Sequence, residues 1–290
     1  MKSKRILSTL SVLCAGILWG CMGYFRRRLG DIGLEAGNII LIRCGIAAVG
    51  YALIMAAADR KAFIIRPKDW WIFLGLGIVS VLFFTVCYFQ AMMLMSLSAA
   101  AILLYTAPVF VILLSALLFK EKITARKILA MLLAFSGCCL TSGIIGSSTA
   151  VTFVGILYGL GSGIGYALYS IFGKFAIQRG YGPFSITFYA SFLAALGAGL
   201  IWGFEKPLAV MTASPANALL CLGAGIITCL LPYLLYTKGI QGMEAGKASV
   251  IASVEPVVAT LVGMLAFGEI LTPWNAIGIA LVLVAIALIG

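Results

Sequence analysis

Histidine is absent from this chain of 290 residues, and charged residues make up only 10% of it. Without histidine, the chain lacks the commonest general base and a frequent metal ligand. Soluble domains carry roughly a quarter charged residues, so this chain has too few polar groups to cover a globule in water. The two shortages exclude an ordinary soluble fold and disfavour an intramembrane metalloenzyme. They predict that the protein uses no metal and no cofactor.

Apolar residues take the place of the missing charges: they form 63% of the chain, and its mean hydropathy is +1.16. A helix needs about 20 apolar residues to cross a bilayer. Ten runs of about that length follow one another with short loops between them. They predict an all-α integral membrane protein whose ten transmembrane helices lie at residues 6–25, 37–58, 70–91, 97–119, 125–145, 151–173, 183–204, 216–239, 247–267 and 273–290.

The net charge of +11 is divided among short clusters between the apolar runs. A nucleic-acid-binding surface would need its basic residues on one face or in one domain, so nucleic acid is not an expected partner. Most of the 20 Lys and Arg residues fall in alternate loops, which is the positive-inside pattern of membrane proteins. The pattern predicts that both termini are cytoplasmic. The cluster Arg26–Arg28 is an exception, because it follows the first helix on the predicted outer side.

The chain resembles itself when it is shifted by 148 residues. The shift aligns Pro108 with Pro256 and Glu121 with Glu269 without a gap. These matches carry weight because the chain has only eight Pro and nine acidic residues. Each half then holds five helices, an odd number, so the second half must enter the membrane upside down. Inverted repeats of this kind are the architecture of secondary transporters. The predicted repeats are residues 1–147 and 148–290.

Four segments carry a resemblance to a known family: Glu121-Lys-Ile-Thr124, Glu269-Ile-Leu-Thr272, Ile17-Leu-Trp-Gly20 and Val254-Glu-Pro-Val257. Together with the two five-helix halves, they resemble the EamA family of the drug/metabolite transporter superfamily. The resemblance covers the whole chain. It implies export or exchange of a small metabolite, amino acid-like or related, across the plasma membrane, either coupled to an ion gradient or by uniport. It also implies a central cavity between the halves, lined by helices 1, 3, 4, 6, 8 and 9.

Pro108 and Pro256 interrupt the fourth and the ninth predicted helix. Proline cannot donate to the carbonyl four residues earlier, so the acceptors of Leu104 and Ala252 lose their intrahelical partners. In lipid, such an acceptor must be satisfied by a neighbouring group or by water in a cavity. The prolines are therefore either packing kinks or breaks that line the substrate pathway, and we take both as candidate pathway residues.

Glu255 is the only acidic residue well inside a predicted span. A charge at the bilayer midplane costs about 2.5–3.5 kcal/mol on insertion scales, so such a residue usually faces the bundle interior and marks a pathway. Its repeat counterpart is Ala107, so the symmetry of the fold does not require it. We predict that Glu255 binds a coupling proton or a cationic group of the substrate. The alternative is a structural hydrogen bond to the backbone that Pro256 frees.

Aromatic side chains supply most of the remaining candidates. Tyr88 and Tyr236 lie near helix ends, so anchoring at the membrane interface is an alternative role for both. Arg43, in the second span, has three open roles: pairing with Glu255, attracting an anionic substrate, or reaching outward to the membrane surface. The full set of candidate pathway residues is Trp19, Arg43, Tyr88, Tyr105, Pro108, Tyr166, Tyr169, Tyr233, Tyr236, Glu255 and Pro256.

The function that these features favour is a secondary transporter, an exporter that works by alternating access between the two repeats. Its expected partners are a small-molecule substrate, the lipid bilayer and a coupling proton, and it is a monomer or a homodimer. The second candidate is a proton-coupled multidrug or cation exporter. An intramembrane lipid-modifying enzyme would need paired acids, histidine or a catalytic serine group at one membrane face. The sequence offers none of these, so the chain is not expected to be an enzyme.

Overall fold

The computed structural model describes residues 2–95, 97–142 and 152–289, and across these residues the chain is helical and forms no strand. The predicted boundary between the repeats, at residue 147, lies outside the described residues. Eight helical stretches are long and apolar enough to cross a membrane, and Pro273–Ile289 is a shorter apolar helix. The remaining predicted span corresponds to the 17-residue helix Ala125–Thr141. The all-helical class is confirmed, whereas the count of ten spans stays a prediction.

The helices follow one another in a regular order. In the first half they are α1 (Lys2–Gly20), α2 (Met22–Asp31), α3 (Ala36–Ala58), α4 (Trp70–Leu74), α5 (Phe83–Leu94), α6 (Leu97–Leu104), α7 (Ala107–Phe119) and α8 (Ala125–Thr141). In the second half they are α9 (Phe153–Gln178), α10 (Pro183–Trp202), α11 (Glu205–Thr212), α12 (Pro215–Gly225), α13 (Leu231–Gly242), α14 (Ala245–Ala252), α15 (Glu255–Phe267) and α16 (Pro273–Ile289).

The helix boundaries repeat with the shift found in the sequence. Helices α5, α6, α7 and α8 begin and end 148 residues before α13, α14, α15 and α16. Wider π-helical turns, Gly75–Leu82 and Ile226–Leu230, lead directly into α5 and α13. Earlier in each half the shift is 147 residues, since α3 begins at Ala36 and α10 at Pro183. The two halves therefore break and bend their helices at equivalent places, which agrees with a duplicated chain.

Helices α7 and α15 end in the same C-terminal cap. Lys120 and Gly268 adopt left-handed backbone angles, with φ of 56° and 68°, and the next residue in each half bonds through its N–H to the carbonyl six residues earlier, at 3.3 Å. This cap is one residue wider than the Schellman motif but has the same left-handed residue after the helix, a position that favours glycine because a Cβ crowds the left-handed conformation. In the first half this left-handed position is occupied by Lys120, which has a Cβ and is therefore less favourable there than glycine.

Replacing Lys120 with glycine is therefore expected to stabilise the protein by about 1 kcal/mol, because the left-handed strain of a side-chain-bearing residue is removed. Lys120 is exposed, and its side chain forms no hydrogen bond or ion pair with the part of the chain that the structure describes. The measurement is the thermal unfolding midpoint in detergent. Gly268→Ala is the matched change in the other half, and its midpoint should fall. A lower midpoint for Lys120→Gly would contradict the role assigned to the cap.

The two halves interleave. The most extensive helix pairings are α8 with α16, α3 with α10, α1 with α13 and α5 with α9, and each joins one half to the other. Small residues bring the partners close: a Cβ on Gly137 of α8 would meet the Gly278 carbonyl oxygen of α16 at 2.6 Å. Close backbone approach at small residues is the usual way in which helices associate in membranes.

Charged side chains pair at both ends of the bundle. We name the end with loops 59–66, 120–124 and 179–182 the basic face, and the end with loops 32–35 and 268–272 the opposite face. On the basic face, the buried carboxylate of Asp69 accepts hydrogen bonds from Arg179 and, at 2.8 Å, from the hydroxyl of Tyr181. These bonds fasten the α3–α4 connection of the first half to the α9–α10 connection of the second.

Candidate functional site

Each broken helix is crossed by a glycine of another helix. A Cβ on Gly16 of α1 would come within 2.9 Å of the Ala252 carbonyl oxygen, at the break between α14 and α15. A Cβ on Gly163 of α9 would lie 3.4 Å from the Leu104 carbonyl oxygen, at the break between α6 and α7. These two carbonyls are the ones that the prolines leave without intrahelical donors. The breaks are thus buried against helices at the centre, not exposed to lipid.

Trp19 and Tyr166 each lie three residues after one of these glycines, so they occupy equivalent places in the two halves. Their rings meet across the centre, with centroids 6.1 Å apart. Trp19 also contacts Tyr233 and Tyr236, at 5.3 and 5.4 Å, and Tyr169 contacts Tyr233 at 4.8 Å. The structure therefore brings five of the predicted residues into one group, which we name the central aromatic cluster.

Hydrogen bonds fix two of these tyrosines by their hydroxyl groups. The hydroxyls of Tyr236 and Ser170 lie 2.7 Å apart, and those of Tyr169 and Thr237 lie 2.9 Å apart. Tyr236 is only 2% exposed, so it belongs to the centre and does not anchor the protein at the membrane interface. A buried tyrosine hydroxyl needs such a partner because its desolvation is otherwise costly.

Glu255 lies beside this cluster, at the start of α15. The hydroxyl of Tyr166 donates a hydrogen bond to its carboxylate at 3.5 Å. The carboxylate borders a cavity of about 20 Å³, which is room for roughly one water molecule. Tyr105 and Pro108, also predicted pathway residues, line the same cavity. Its complete lining is Leu104, Tyr105, Ala107, Pro108, Tyr166, Ser249, Ala252, Ser253 and Glu255.

Three predicted residues lie outside this constellation. The guanidinium of Arg43 donates to the hydroxyl and the carbonyl oxygen of Thr228, at 2.6 and 2.7 Å, and forms no ion pair with Glu255. Thr228 lies four residues before Pro232, which has no N–H, so Arg43 supplies a donor to a carbonyl that this proline leaves without its usual partner. Pro256 is buried in the first turn of α15 and does not border the cavity. Among the described residues, Tyr88 reaches the cluster through one intervening ring.

That connecting ring is Phe84, one of three residues that contact the central aromatic cluster by a ring or a hydroxyl group and that the sequence did not indicate. It stacks on Tyr88 at 6.1 Å and meets Tyr166 edge-on at 5.7 Å. Ser170 and Thr237 are the other two. Ser170 follows Tyr166 by four residues, and that spacing places both on one face of a helix, so it could have been recognised. The same spacing relates Phe84 to Tyr88 and Thr237 to Tyr233, so these two could also have been recognised. Which rings and hydroxyls meet depends on the pairing of α5, α9 and α13.

On the basic face, one carboxylate closes the gap between the halves. Glu121 accepts hydrogen bonds from the backbone N–H of Ala245 at 3.1 Å and of Gly246 at 3.5 Å, at the start of α14. The ammonium of Lys174 on α9 pairs with the same carboxylate at 3.2 Å. The side chain of Glu121 is only 8% exposed. A carboxylate at a helix N-terminus is favoured by the free N–H groups and by the helix dipole.

A second ion pair supports this closure. Lys127, a buried residue of α8, lies 2.9 Å from the carboxylate of Glu244, which immediately precedes α14. Burial raises the pKa of the Glu244 carboxyl, but the hydrogen bond from Lys127 and the positive charge of Lys127 lower it by more. The pKa of Glu244 is consequently lower than its usual value. The residue equivalent to Lys127 in the second half is Asn275, so the opposite face has no matching cation at that place.

The opposite face is open at the equivalent position. Glu269 pairs with Arg27 of α2 at 3.2 Å, but the two side chains are 56% and 52% exposed. Helix α14 packs against α7 on the basic face, whereas no comparable packing of α6 against α15 occurs among the described residues. A cavity of about 510 Å³, which we name the vestibule, opens there. Its lining includes Gly23 and Ala259, one helical turn beyond Trp19 and Glu255.

The vestibule has the size of a small-molecule site, about 300–1,000 Å³, whereas the cavity at Glu255 does not. A larger cavity of about 630 Å³ lies on the basic face between α3 and α10 and contains none of the predicted pathway residues. Within residues 2–95, 97–142 and 152–289, no group of cysteine and acidic residues has the geometry to hold a metal ion. The site is therefore organised around rings, hydroxyls and one carboxylate.

Comparisons with known proteins agree with this architecture. The model of the EamA-like transporter family matches the chain twice, over residues 6–143 and 153–290. An "Uncharacterized transporter" of Archaeoglobus fulgidus is 29% identical over 277 residues, which cover 95% of this chain and 93% of that one. The "Uncharacterized transporter YwfM" of Bacillus subtilis is 24% identical over 290 residues, with coverage of 99% and 95%. A crystal structure at 17% identity superimposes with a TM-score of 0.81 over 97% of this chain and 95% of that one, so it shares the fold.

Proposed function

Because the chain belongs to the EamA-like transporter family and is a multi-pass membrane protein, we propose that it is a secondary transporter that exports a small, amino acid-like metabolite across the plasma membrane. The two inverted repeats, residues 1–147 and 148–290, alternate in closing the two faces of the bundle. The ten predicted helices all cross the membrane, and the basic face with both termini is cytoplasmic. The open vestibule then faces the outside.

The observation that carries this proposal is the difference between the two faces. Helices α14 and α7 are packed on the basic face, whereas their equivalents α6 and α15 show no comparable packing among the described residues, although the helix boundaries repeat residue by residue. Two equivalent halves in unequal arrangements are what alternating access requires. The central aromatic cluster lies between the vestibule and the closed face. It offers ring faces and hydroxyl groups to a substrate that has an apolar part and polar ends.

Two measurements together test the proposal. Metabolite profiles of cells with and without the protein should differ in one or a few small amphipathic compounds, depleted inside the cells that contain it. Those compounds should then move, chemically unchanged, into or out of vesicles containing the purified protein. A compound that emerges chemically altered would identify an enzyme instead, and vesicles that move none of them would overturn the proposal.

A second function, proton-coupled export of an organic cation, is favoured by the position of Glu255. Its carboxylate stands next to the aromatic rings of Tyr166 and Tyr105. Ring faces attract cations, and a carboxylate adds charge complementarity. A carboxyl group that exchanges protons can release such a cation when it becomes protonated. The same residue thus serves a coupling proton and a cationic group of the substrate.

Glu255→Gln is expected to slow transport at least about tenfold and to abolish its dependence on pH between about pH 6 and about pH 8, because an amide cannot exchange a proton. The measurement is the initial rate of substrate flux in vesicles across that range. Glu205→Gln is the matched control, since Glu205 is exposed in α11 on the opposite face. If Glu255→Gln kept both the rate and the pH profile of the unaltered protein, the residue would have no part in transport.

A further inference from the structure

The two faces use equivalent charged pairs in different ways. On the basic face, Glu121 follows α7 and pairs with Lys174 of α9; on the opposite face, Glu269 follows α15 and pairs with Arg27 of α2. Both N–O distances are 3.2 Å. The 147-residue shift that aligns α3 with α10 also aligns Arg27 with Lys174. The pairs are therefore structural counterparts.

The two faces differ in what each carboxylate binds besides its cation. The carboxylate of Glu121 also accepts the backbone N–H groups of Ala245 and Gly246, the first two residues of α14. Contact there is tight, because a Cβ on Gly246 would meet Ile112 of α7 at 3.0 Å. The counterpart of α14 is α6, which begins at Leu97. The side chain of Glu269 is 56% exposed, and among the described residues its carboxylate accepts a hydrogen bond only from Arg27.

We propose that the pair Glu269–Arg27 is the latch of the opposite face: the carboxylate of Glu269 docks on the first N–H groups of α6 when that face closes. Docking removes the pair from water and brings α6 against α15 over the vestibule. On the other face, Glu121 must then release α14. The proposal rests on the proposed function, and it gives a role to an arginine of the Arg26–Arg28 cluster that the loop-charge pattern left unexplained.

The charges also set which face is closed at rest. Closure of the basic face has the additional pair Lys127–Glu244, whereas the opposite face has Asn275 in place of Lys127. Asn275 is engaged with Thr272 and with the carbonyl of Thr141 instead. Equal latches would leave the two states balanced. The extra pair favours the state that this structure shows, with the basic face closed and the vestibule open.

The experiment follows the vestibule with one reporter cysteine. Ala259→Cys is introduced into a variant whose eight native cysteines have been replaced, and its labelling rate by a polar maleimide is measured on purified protein. Glu121→Gln should slow labelling about tenfold, because it weakens closure of the basic face and populates the state in which the vestibule is shut. Glu269→Gln alone should leave labelling as fast as it was, or faster.

The double variants decide the matter. Adding Glu269→Gln or Arg27→Gln to Glu121→Gln should restore fast labelling, because the opposite latch is then lost as well. Adding Arg28→Gln should not restore it, since Arg28 pairs with Asp31 of its own helix. Labelling that stays slow in Glu121→Gln/Glu269→Gln would overturn the latch.

Lys174→Gln provides a second way to weaken the basic face, should Glu121→Gln prove unstable, and it carries the same expectation. The flux assay separates this proposal from the proposed function. Flux without the expected labelling changes would leave the transporter standing and remove the latch. The expected labelling changes without flux of any compound would establish the latch and remove the transport proposal.

Discussion

Replacing Trp19 with alanine is expected to destabilise the protein by about 3–5 kcal/mol, because truncation of a buried tryptophan removes its apolar contacts and leaves a cavity. Trp19 is 8% exposed and touches the rings of Tyr166, Tyr233 and Tyr236. These three rings belong to two other helices, α9 and α13, so Trp19 connects α1 to both of them. The thermal unfolding midpoint in detergent should fall by on the order of 10 °C.

Two further variants test whether the loss of stability comes from the contacts of Trp19 at the centre of the bundle. Trp19→Phe keeps one ring against the tyrosines and should lose less than half as much stability. Trp274→Ala removes a tryptophan that is 48% exposed at the start of α16, and its midpoint should hardly change. Equal losses for Trp19→Ala and Trp274→Ala would show that the central aromatic cluster contributes no special stability.

Replacing Gly137 with leucine should cost about 3 kcal/mol or more, since its side chain would be driven into the backbone of α16. A Cβ at Gly137 would already lie 2.6 Å from the Gly278 carbonyl oxygen and 3.0 Å from the Val282 backbone nitrogen. Neither atom can move aside without displacing a helix. Helices α8 and α16 must therefore separate, and the hydrogen bond that the side-chain amide of Asn275 donates to the Thr141 carbonyl is then lost.

Gly45→Leu is the control for this change. Gly45 lies in the middle of α3, and a Cβ there meets nothing within 4 Å. The same substitution at that place gains helix propensity and fits into open space. Its unfolding midpoint should be equal to or higher than that of the unaltered protein. A midpoint for Gly137→Leu that matched the one for Gly45→Leu would refute the close crossing of α8 and α16.

The sequence predicted the positions of most helices because apolar runs and the prolines determine them directly. The breaks at Pro108 and Pro256 were expected, and α7 and α15 begin immediately beside them. The short helix α11 was not expected, since Glu205–Thr212 lies in a connection that the apolar pattern treats as a loop. The π-helical turns were also missed. The turn Gly75–Leu82 contains no proline, and neither turn interrupts the apolar run that contains it, so the apolar pattern does not reveal them.

The site was predictable in part for a similar reason. An acid in an apolar run identifies Glu255 by itself, and Trp19 and the tyrosines stand out by type. The sequence could not distinguish which of them meet, because that depends on which helices of one half pair with which of the other. Arg43 illustrates the difference: it lies in a span like Glu255, yet its partner is Thr228. The state of each face, closed or open, depends on packing and has no signature in the chain.

The interleaving of the halves has a consequence for biosynthesis. Helices α1, α3, α5 and α8 find their most extensive partners in α13, α10, α9 and α16, all of which are made later. A ribosome that has completed the first repeat has therefore placed in the bilayer a set of helices whose principal neighbours do not yet exist. The helices of the first repeat can reach their final packing only after the second repeat has been inserted. Helix α8 is paired only when α16 has been made. The protein therefore depends most on factors that protect unassembled membrane helices when only its first half has been made.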